Sequence, residues 1–414
     1  MARGADAVVV GGGAAGIAAA RHLHDAGRDV LLLEAGGRLG GRAHSIVIDE
    51  AVVDLGCGWL HSARRNPWTG IARARGFTVA TDTARWGEQW RDLGFPPGDH
   101  RAANEARERM TKAAHALAAA PDRALGAAVP PDERWRPLLD AISRFANGAA
   151  IDDVSLHDWL AYEDVASDDN WAVREGYGTL IADHARGLPA RLGCAVTRID
   201  HRGTRVRIKT AAGTIETDAV IIAVPTPVLA CGAIAFDPPL PDKIDAAIGL
   251  PLGVADKVML RVDRPDWPAD SHVMGNPFSA DTASHRLSPF GHPLIESFLG
   301  GPTADALEDT KAAAAFVVDE LVGLLGSEWR ARLHPVTATR WRHEPWIGGS
   351  YSHAAVGHAN ARAVLAAQVD SRLYFAGEAC SLHDFSTAHG AYETGIAAAR
   401  AILGEHERDG YRSR

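Results

Sequence analysis

A glycine-rich turn near the N-terminus has the spacing of a dinucleotide-binding site. Gly11, Gly13 and Gly16 form G-x-G-x-x-G between a predicted strand, residues 6–10, and a predicted helix, residues 17–26. In this motif the first glycine permits a tight turn, the second lets the backbone approach a pyrophosphate, and the third allows close packing of helix on strand. The helix N-terminus adds unpaired N–H groups and a positive dipole. The turn therefore predicts a site for the phosphates of a dinucleotide.

An acidic residue and a second glycine loop indicate which dinucleotide binds. Glu34 follows a second predicted strand, residues 29–33, roughly 20 residues beyond the glycine turn, where a carboxylate can accept hydrogen bonds from ribose hydroxyls. Its charge would repel a 2′-phosphate, which disfavours NADP. An NAD-binding half normally continues directly into its next strand, whereas here Gly40, Gly41 and Arg42 follow the glutamate. Their backbone and guanidinium can approach further phosphates, which favours FAD.

Motifs further along the chain carry a resemblance to one family. These motifs are residues 54–61 (DLGCGWLH), 374–378 (YFAGE) and 389–395 (HGAYETG). Together with the two glycine loops, they resemble the flavin-containing amine oxidases: monoamine oxidases, polyamine oxidases and histone lysine demethylases. The resemblance covers about residues 6–70, 174–262 and 341–403, whereas residues 80–170 contribute nothing to it.

The resemblance implies an FAD site built from several segments. According to the resemblance, Glu34 binds the ribose, the Gly40–Arg42 loop binds the phosphates and Val196 contacts the adenine. Gly58–Leu60 pass the isoalloxazine. Glu378, Gly390 and Ala391 close over the ribityl and phosphate region. The complete set of implied cofactor contacts is Gly11, Gly13, Ala15, Gly16, Glu34, Ala35, Gly40, Gly41, Arg42, Gly58, Trp59, Leu60, Val196, Gly377, Glu378, Gly390 and Ala391. One departure is Gly36, because the family often has a basic residue two positions after the glutamate.

Lys257 is the first candidate catalytic residue. In the family a lysine on a substrate-domain strand holds a water against flavin N5, and residues 252–258 followed by 263–267 resemble that segment. An ammonium there can stabilise reduced flavin and position a water or O2. The alternation over residues 257–262 places Lys257 opposite three apolar residues, so an exposed strand lysine is the alternative interpretation.

Tyr351 matches one wall of the family's aromatic cage, which flanks the substrate amine above the flavin. An electron-rich ring face suits a nitrogen lone pair or a cation; a packed core tyrosine is the alternative. Ser350 stands where monoamine oxidases carry the cysteine that tethers flavin, which implies non-covalent FAD. Thr387 replaces their second cage tyrosine, which shifts the interpretation towards polyamine-type enzymes.

His61 is the third predicted catalytic residue and, with Tyr351 and Thr387, lines the predicted substrate pocket. It lies in a stretch similar to that of polyamine oxidases whose histidine contacts the inner nitrogens of the substrate. A pKa near neutrality would suit that work. A structural or loop histidine is the alternative.

The predicted fold is α/β, with a Rossmann-like FAD-binding domain and a substrate domain in which helices cover a mixed β-sheet. Residues 1–75, 174–240 and 350–414 form the first domain, and residues 76–173 and 241–349 the second. Further predicted elements are helices within 101–147, a capping box at Ser155 and Asp158 that serves as helix punctuation, a hairpin leading into strand 219–224, helix 304–325, strand 373–376 and helix 391–403.

Composition limits the function classes. The chain of 414 residues is 46% hydrophobic and 23% charged, values of a globular protein, and its net charge of −9 argues against a nucleic-acid partner. Four cysteines without C-x-x-C spacing indicate neither disulfides nor zinc and fit a cytoplasmic location. The N-terminal apolar stretch is interpreted as structure and not targeting, and no run is long enough for a membrane span. Oligomeric state is not indicated.

The implied activity is oxidation of a small-molecule amine. A hydride would pass from the amine to flavin N5, the imine would hydrolyse to an aldehyde, and O2 would reoxidise the flavin to give H2O2. Two alternatives stay open: a flavin desaturase or porphyrinogen-type oxidase, which would not need Lys257, Tyr351 or His61, and a flavin-stabilised interaction protein without turnover.

Overall fold

The N-terminal βαβ unit has the predicted form in the computed structural model, which describes residues 5–82, 84–307 and 309–405. Strand β1 (Ala5–Val10) pairs in parallel with β2 (Val30–Leu33), and helix α1 (Ala14–Asp25) connects them. The helix begins three residues earlier than predicted. Val8 and Val9 are fully buried, as expected for a strand covered on both faces of a sheet.

The larger sheet mixes parallel and antiparallel pairs. Besides β1 and β2, the strands outside the smaller sheet are β3 Ser45–Ile48, β4 Ala51–Asp54, β5 Val79–Ala80, β6 Ala172–Val173, β7 Ala190–Arg191, β8 Val196–Asp200, β9 Val206–Thr210, β10 Gly213–Ile222, β11 Ala235–Asp237 and β17 Leu373–Phe375. Among the described residues the eight strands of the larger sheet follow the order β11-β8-β9-β10-β1-β2-β7, and β17 pairs with the C-terminal end of β10. Strand β10 runs continuously from the hairpin into the parallel part of the sheet and ends at Ile222, two residues before the predicted end.

The strands of the smaller sheet are β12 Ala255–Val262, β13 Ser271–Met274, β14 Ser284–Leu287, β15 Leu294–Gly300 and β16 Leu333–Ala338. They follow the order β13-β14-β15-β12-β16 across the sheet. The prediction of a mixed sheet in this part of the chain is corrected on one point, because each of these pairs is antiparallel. Strands that follow one another closely along the chain can pair through short turns, which join antiparallel neighbours.

Helices cover both sheets. They are α2 Pro67–Ala74, α3 Pro97–Leu117, α4 Arg136–Asn147, α5 Leu156–Glu163, α6 Tyr177–His184, α7 Thr226–Ala230, α8 Pro241–Ile248, α9 Gly301–Ala306, α10 Thr310–Leu325, α11 Ala361–Ala366 and α12 Ala388–Leu403. Helix α12 packs on α1 against the larger sheet, and α10 packs on the smaller one. Helices α3, α4 and α5 share a separate apolar cluster. No helix in the described ranges is long and apolar enough to cross a bilayer.

The prediction of one helix over residues 304–325 is wrong. The structure has two helices, α9 and α10, and Leu307 between them is extended. The carboxylate of Asp309 accepts hydrogen bonds from the backbone N–H groups of Lys311 and Ala312, which makes it the N-cap of α10. Because an aspartate competes for backbone donors in this way, it favours a new helix start over continuation of the preceding helix.

Candidate active site

The glycine turn has room for a phosphate at the N-terminus of α1. Gly11 has φ of +105°, and a Cβ there would lie 2.4 Å from the carbonyl oxygen of Ala223. A Cβ on Gly16 would lie 1.9 Å from the carbonyl oxygen of Gly11, so neither position accepts a side chain. A Cβ on Gly13 would meet nothing within 4 Å. The backbone is therefore open to a ligand at the helix N-terminus, where the N–H dipoles favour phosphate.

Glu34 lies beside this turn. Its Oε2 accepts a hydrogen bond of 2.7 Å from the Gly12 N–H, and its Oε1 accepts one of 2.6 Å from the Gly36 N–H. Each carboxylate oxygen has a second lone-pair direction for a ribose hydroxyl. A Cβ on Gly36 would lie 3.1 Å from Oε1, which gives a physical reason for glycine where the family often has a basic residue. The Cys194 N–H donates to the Glu34 carbonyl, which brings the segment leading to Val196 next to Glu34.

We expect Glu34→Ala to weaken FAD binding by about 1.5–3 kcal/mol, or roughly 10- to 150-fold in Kd, because charge-assisted hydrogen bonds are lost. Equilibrium titration of apoprotein with FAD, followed by flavin fluorescence, measures the change. Glu50→Ala, at an exposed turn between β3 and β4, is the matched control. Unchanged affinity in the Glu34 variant would contradict the interpretation of this βαβ unit.

The second glycine loop packs against the first. The Gly40 N–H donates to the Gly12 carbonyl at 2.8 Å, and a Cβ on Gly41 would lie 3.2 Å from the Cα of Gly13. Arg38, which the sequence analysis did not select, donates from Nη2 to the Gly41 carbonyl at 2.8 Å. The Arg38 guanidinium therefore stabilises the conformation of the second glycine loop.

Arg42 joins this loop to the C-terminal motif. Its Nη1 donates at 2.8 Å both to the Ser350 carbonyl and to Oε1 of Glu378. Glu378 is buried and also accepts hydrogen bonds from the Ser352 hydroxyl at 2.6 Å and the Ser386 N–H at 2.9 Å. Burial alone would raise the pKa of Glu378, but the charge of Arg42 brings that pKa below its ordinary value. The Glu378 side chain therefore binds protein groups, and its predicted role towards FAD stays a prediction.

A buried ion pair continues this network. Arg362 donates from Nε and Nη2 to the two carboxylate oxygens of Asp158 at 2.6 and 2.8 Å, and from Nη1 to the Ser352 hydroxyl at 2.9 Å. The side chains are 1% and 3% exposed. The Ser155 cap on α5 is confirmed. Helix punctuation does not account for Asp158, however, because its carboxylate connects α5 through Arg362 and Ser352 to Glu378.

Lys257 is buried, with 4% of its surface exposed, so the alternative of an exposed strand lysine is wrong. Its Nζ donates to the Asp54 carbonyl at 2.7 Å and lies 2.8 Å from Oε1 of Glu296. A Cβ on Gly58 would lie 3.4 Å from Nζ, which places the lysine against the segment predicted to pass the isoalloxazine. In that segment the Leu60 side chain is fully buried in the core, which leaves Gly58 and Trp59 on the cleft.

Charged and aromatic side chains line a cleft around Lys257. The guanidinium of Arg286 lies 4.8 Å from the ring centre of Trp59 and 4.7 Å from that of Phe290. The complete lining is Val52, Val53, Asp54, Gly58, Trp59, Ala172, Val173, Lys257, Arg286, Pro289, Phe290 and Glu296. Glu296 and Arg286 were absent from the sequence analysis because neither belongs to a motif.

Tyr351 is held in a fixed orientation. Its hydroxyl donates to the carbonyl of Phe145, and burial raises the pKa of that hydroxyl above its ordinary value, so it stays neutral. The Phe145 ring lies 6.2 Å from that of Phe298, which pairs directly with Lys257 in the sheet. Tyr351 itself contacts the backbone of Phe145, and among the described residues Tyr351, His61 and Thr387 do not line the cleft around Lys257.

Ser350 binds the strand that carries Lys257. Its hydroxyl accepts a hydrogen bond from the Ala255 N–H and donates one to the Ala255 carbonyl, both at 2.8 Å.

We expect purified protein to be yellow and to release all its flavin on acid or heat denaturation, because the serine at position 350 offers no thiol for a covalent link to flavin. Absorbance of the supernatant measures the released flavin. Flavin that stays in the washed precipitate would refute this expectation.

Thr387 is the N-cap of α12. Its hydroxyl accepts a hydrogen bond from the Gly390 N–H at 3.0 Å and donates to the Asp384 carbonyl. The side chain is buried, and its polar atom is engaged in this cap. A role for Thr387 in a substrate pocket stays a prediction.

The expectation of a near-neutral pKa for His61 is wrong. Burial lowers the pKa of His61 to about 4, although the hydrogen bond with Asn170 favours the charged form. The contact joins Nδ1 to Oδ1 of Asn170 at 2.6 Å. Because Oδ1 only accepts, Nδ1 carries the proton and Nε2 is an acceptor at neutral pH. Trp86, in a segment that matched nothing in the sequence analysis, packs against both His61 and Trp59.

Comparison with known proteins shows the family of this chain. A model of the family described as flavin containing amine oxidoreductase matches residues 14–403. Polyamine oxidase 4 of Oryza sativa subsp. japonica is 30% identical, with 95% of this chain and 87% of that protein covered. Polyamine oxidase 2 of Arabidopsis thaliana is 29% identical, with 96% of this chain and 88% of that protein covered. Lysine-specific histone demethylase 1B of Mus musculus is 29% identical over 95% of this chain and 52% of that protein.

Solved structures of putrescine oxidase have the same fold. The wild type bound to putrescine superposes with a TM-score of 0.78 at 19% identity, with 97% of this chain and 99% of that chain covered. A double mutant from a redesign of its cofactor binding gives 0.79 at 18% identity, with the same coverage.

The fold and site define a flavoprotein oxidoreductase. The open glycine turn, the adjacent carboxylate and the buried lysine beside Gly58 fit FAD, and the family match extends over most of the chain. This chain belongs to the flavin-containing amine oxidoreductase family. It is an FAD-dependent enzyme that acts on a small-molecule amine.

Proposed function

We propose that this enzyme oxidises the carbon next to the nitrogen of its amine substrate, with Lys257 and Tyr351 at the reacting face and FAD bound without a covalent link. The observation that carries the proposal is the position of Lys257. Its ammonium is buried, is held by Asp54 and Glu296, and contacts the Gly58 segment. Burying a lysine costs free energy, and a buried ammonium at this place can stabilise negative charge that develops on the flavin.

The cofactor and the residues of this chain have separate roles in the proposed reaction. When bound, FAD supplies the two-electron oxidation of the amine to an imine, with O2 as final acceptor and H2O2 as product. Lys257 has a third N–H that can hold a water. The face of the Tyr351 ring offers a surface for the amine nitrogen. The imine then hydrolyses in water to an aldehyde and an amine.

We infer that the substrate is of the polyamine type. His61 supports this proposal, because its neutral Nε2 can accept a hydrogen bond from an inner nitrogen of such a chain. Thr387 stands where monoamine oxidases carry the second cage tyrosine, and this difference also favours a polyamine-type substrate. The names of the relatives, polyamine oxidase and putrescine oxidase, give independent support.

Anaerobic mixing of the enzyme with a panel of amines tests the proposal. Benzylamine, putrescine, spermidine and spermine are each added to the oxidised enzyme, and loss of the flavin absorbance is followed by stopped flow. We expect spermidine or spermine to reduce the flavin fastest. Fastest reduction by benzylamine would overturn the polyamine assignment. Reduction by none of them would also overturn the polyamine assignment and would indicate an amine of another class.

We also propose a cytoplasmic location. Cys57, Cys194, Cys231 and Cys380 are all free in the structure, which fits a reducing compartment.

A further inference from the structure

The ammonium of Lys257 has two acceptors among the residues that the structure describes. One is the Asp54 carbonyl at 2.7 Å, and the other is the Glu296 carboxylate at 2.8 Å. An ammonium has three N–H donors. One N–H of Lys257 is therefore left for a water or a ligand on the cleft side.

Strand pairing brings Glu296 to this place. Glu296 lies directly opposite Met259, which has the same orientation on β12 as Lys257. The carboxylate and the ammonium thus share one face of the sheet as diagonal neighbours, a separation that long side chains can bridge. The side chains are 13% and 6% exposed, so water screens their attraction weakly.

Arg286 is the other cation near Glu296, at 3.9 Å, but it is committed elsewhere. Its Nε and Nη2 both donate to the carboxylate of Asp270. The short contact of Glu296 is therefore with Lys257. Burial acts to raise the pKa of Glu296, yet the charges of Lys257 and Arg286 bring that pKa below its ordinary value, so the carboxylate is ionised.

We propose that Glu296 is a positioning residue for Lys257. Its carboxylate holds Nζ in one place and favours the charged ammonium, so that a single N–H is directed to the reacting face. This inference rests on the proposed function for the catalytic meaning of Lys257. The contact itself and its effect on bound flavin do not depend on any particular amine.

Other titratable groups around Lys257 do not replace Glu296. Burial raises the pKa of Asp54, and its carboxylate already accepts hydrogen bonds from the Ser45 hydroxyl and two backbone N–H groups. Burial raises the pKa of the Cys57 thiol to about 12, so that thiol stays neutral. Arg286 is cationic and disfavours a second nearby cation. Glu296 is thus the anion in short contact with this ammonium among the residues that the structure describes.

The test is the pH dependence of the flavin midpoint potential, measured without amine in wild type, Glu296→Gln, Lys257→Met and the double variant. A nearby group bends the plot of potential against pH when its proton affinity differs between oxidised and reduced flavin. Because Glu296 favours the charged ammonium, we expect the wild-type bend at high pH, and we expect it to be absent in Lys257→Met. In Glu296→Gln the bend should move to lower pH by about one unit, a tenfold change in proton affinity. Glu296→Gln should add no displacement in the Lys257→Met background.

Two further variants make the result decisive. Asp49→Asn removes a carboxylate that pairs with Arg261 at the exposed end of the same strand, and it should leave the bend in place. Glu296→Asp keeps the charge but withdraws it by one methylene, so its bend should fall between wild type and Glu296→Gln. If Glu296→Gln does not retain flavin, the shift in Glu296→Asp carries the test.

A bend at the same pH in wild type and the Glu296 variants would overturn the proposal, as would a Glu296→Gln variant without a Lys257-dependent bend. A displacement that persists when Lys257 is absent would assign the effect to Glu296 acting on flavin directly. Failure of the polyamine assignment is seen separately, in the anaerobic panel with wild-type enzyme.

Discussion

Replacing Lys257 by methionine is expected to slow flavin reduction by amine, or reoxidation by O2, by roughly 30- to 1000-fold. Methionine retains an apolar stem but removes the ammonium. Loss of a positioned charge at a reacting centre typically costs about 2–4 kcal/mol of transition-state stabilisation. Stopped-flow measurement of the two half-reactions shows which step is affected.

The Lys257 variant should still fold and bind FAD, because Glu34 and the two glycine loops adjoin the larger sheet, whereas Lys257 lies on β12 of the smaller one. Lys209→Met, at an exposed position on β9, is the matched control and should leave both half-reactions unchanged. Wild-type rates in Lys257→Met with FAD fully bound would make Lys257 a structural lysine.

The second large effect is expected from Asp158→Ala, which should destabilise the protein by about 3–5 kcal/mol. The substitution leaves the Arg362 guanidinium buried without its carboxylate partner. Arg362 also donates to Ser352, which donates to Glu378, so flavin retention should fall as well. Urea denaturation of holoprotein and apoprotein measures both changes.

Two controls separate the ion pair from its surroundings. Asp164→Ala, at the exposed end of the same helix, should change stability little. The double variant Asp158→Leu with Arg362→Met removes both charges and should recover part of the lost stability, since a buried pair replaced by apolar groups is often tolerated. Equal destabilisation by the single and double variants would argue against the pair as the cause.

The N-terminal unit was predictable because its physics is local. The spacing of Gly11, Gly13 and Gly16 and the position of Glu34 follow from one turn between a strand and a helix. The boundary errors are small: α1 begins after Gly13, which has no side chain to cap it, whereas the cap of α12 at Thr387 was overlooked. The break before α10 was missed although Asp309 is a good N-cap, because the apolar pattern continues on both sides of it.

The candidate site was predictable only where a motif exists. Resemblance selected Lys257, Tyr351 and His61, but alternation within β12 left exposure of Lys257 open. Burial of Lys257 depends on Asp54 and Gly58, which are about 200 residues away in sequence, and on Glu296 from another strand. The pKa of His61 was wrongly expected because burial by neighbouring segments cannot be derived from its flanking residues.

The sequence by itself determined the dinucleotide turn, the preference for FAD and the family, since each depends on residue type and short spacing. Only the tertiary structure decided which charges neutralise one another: Lys257 with Glu296, Arg42 with Glu378, and Arg362 with Asp158. Each pair joins residues from distant segments, and each exists because a buried charge needs a partner within a few ångströms. Such distances are set by strand register and helix packing, which the order of residues along the chain does not display.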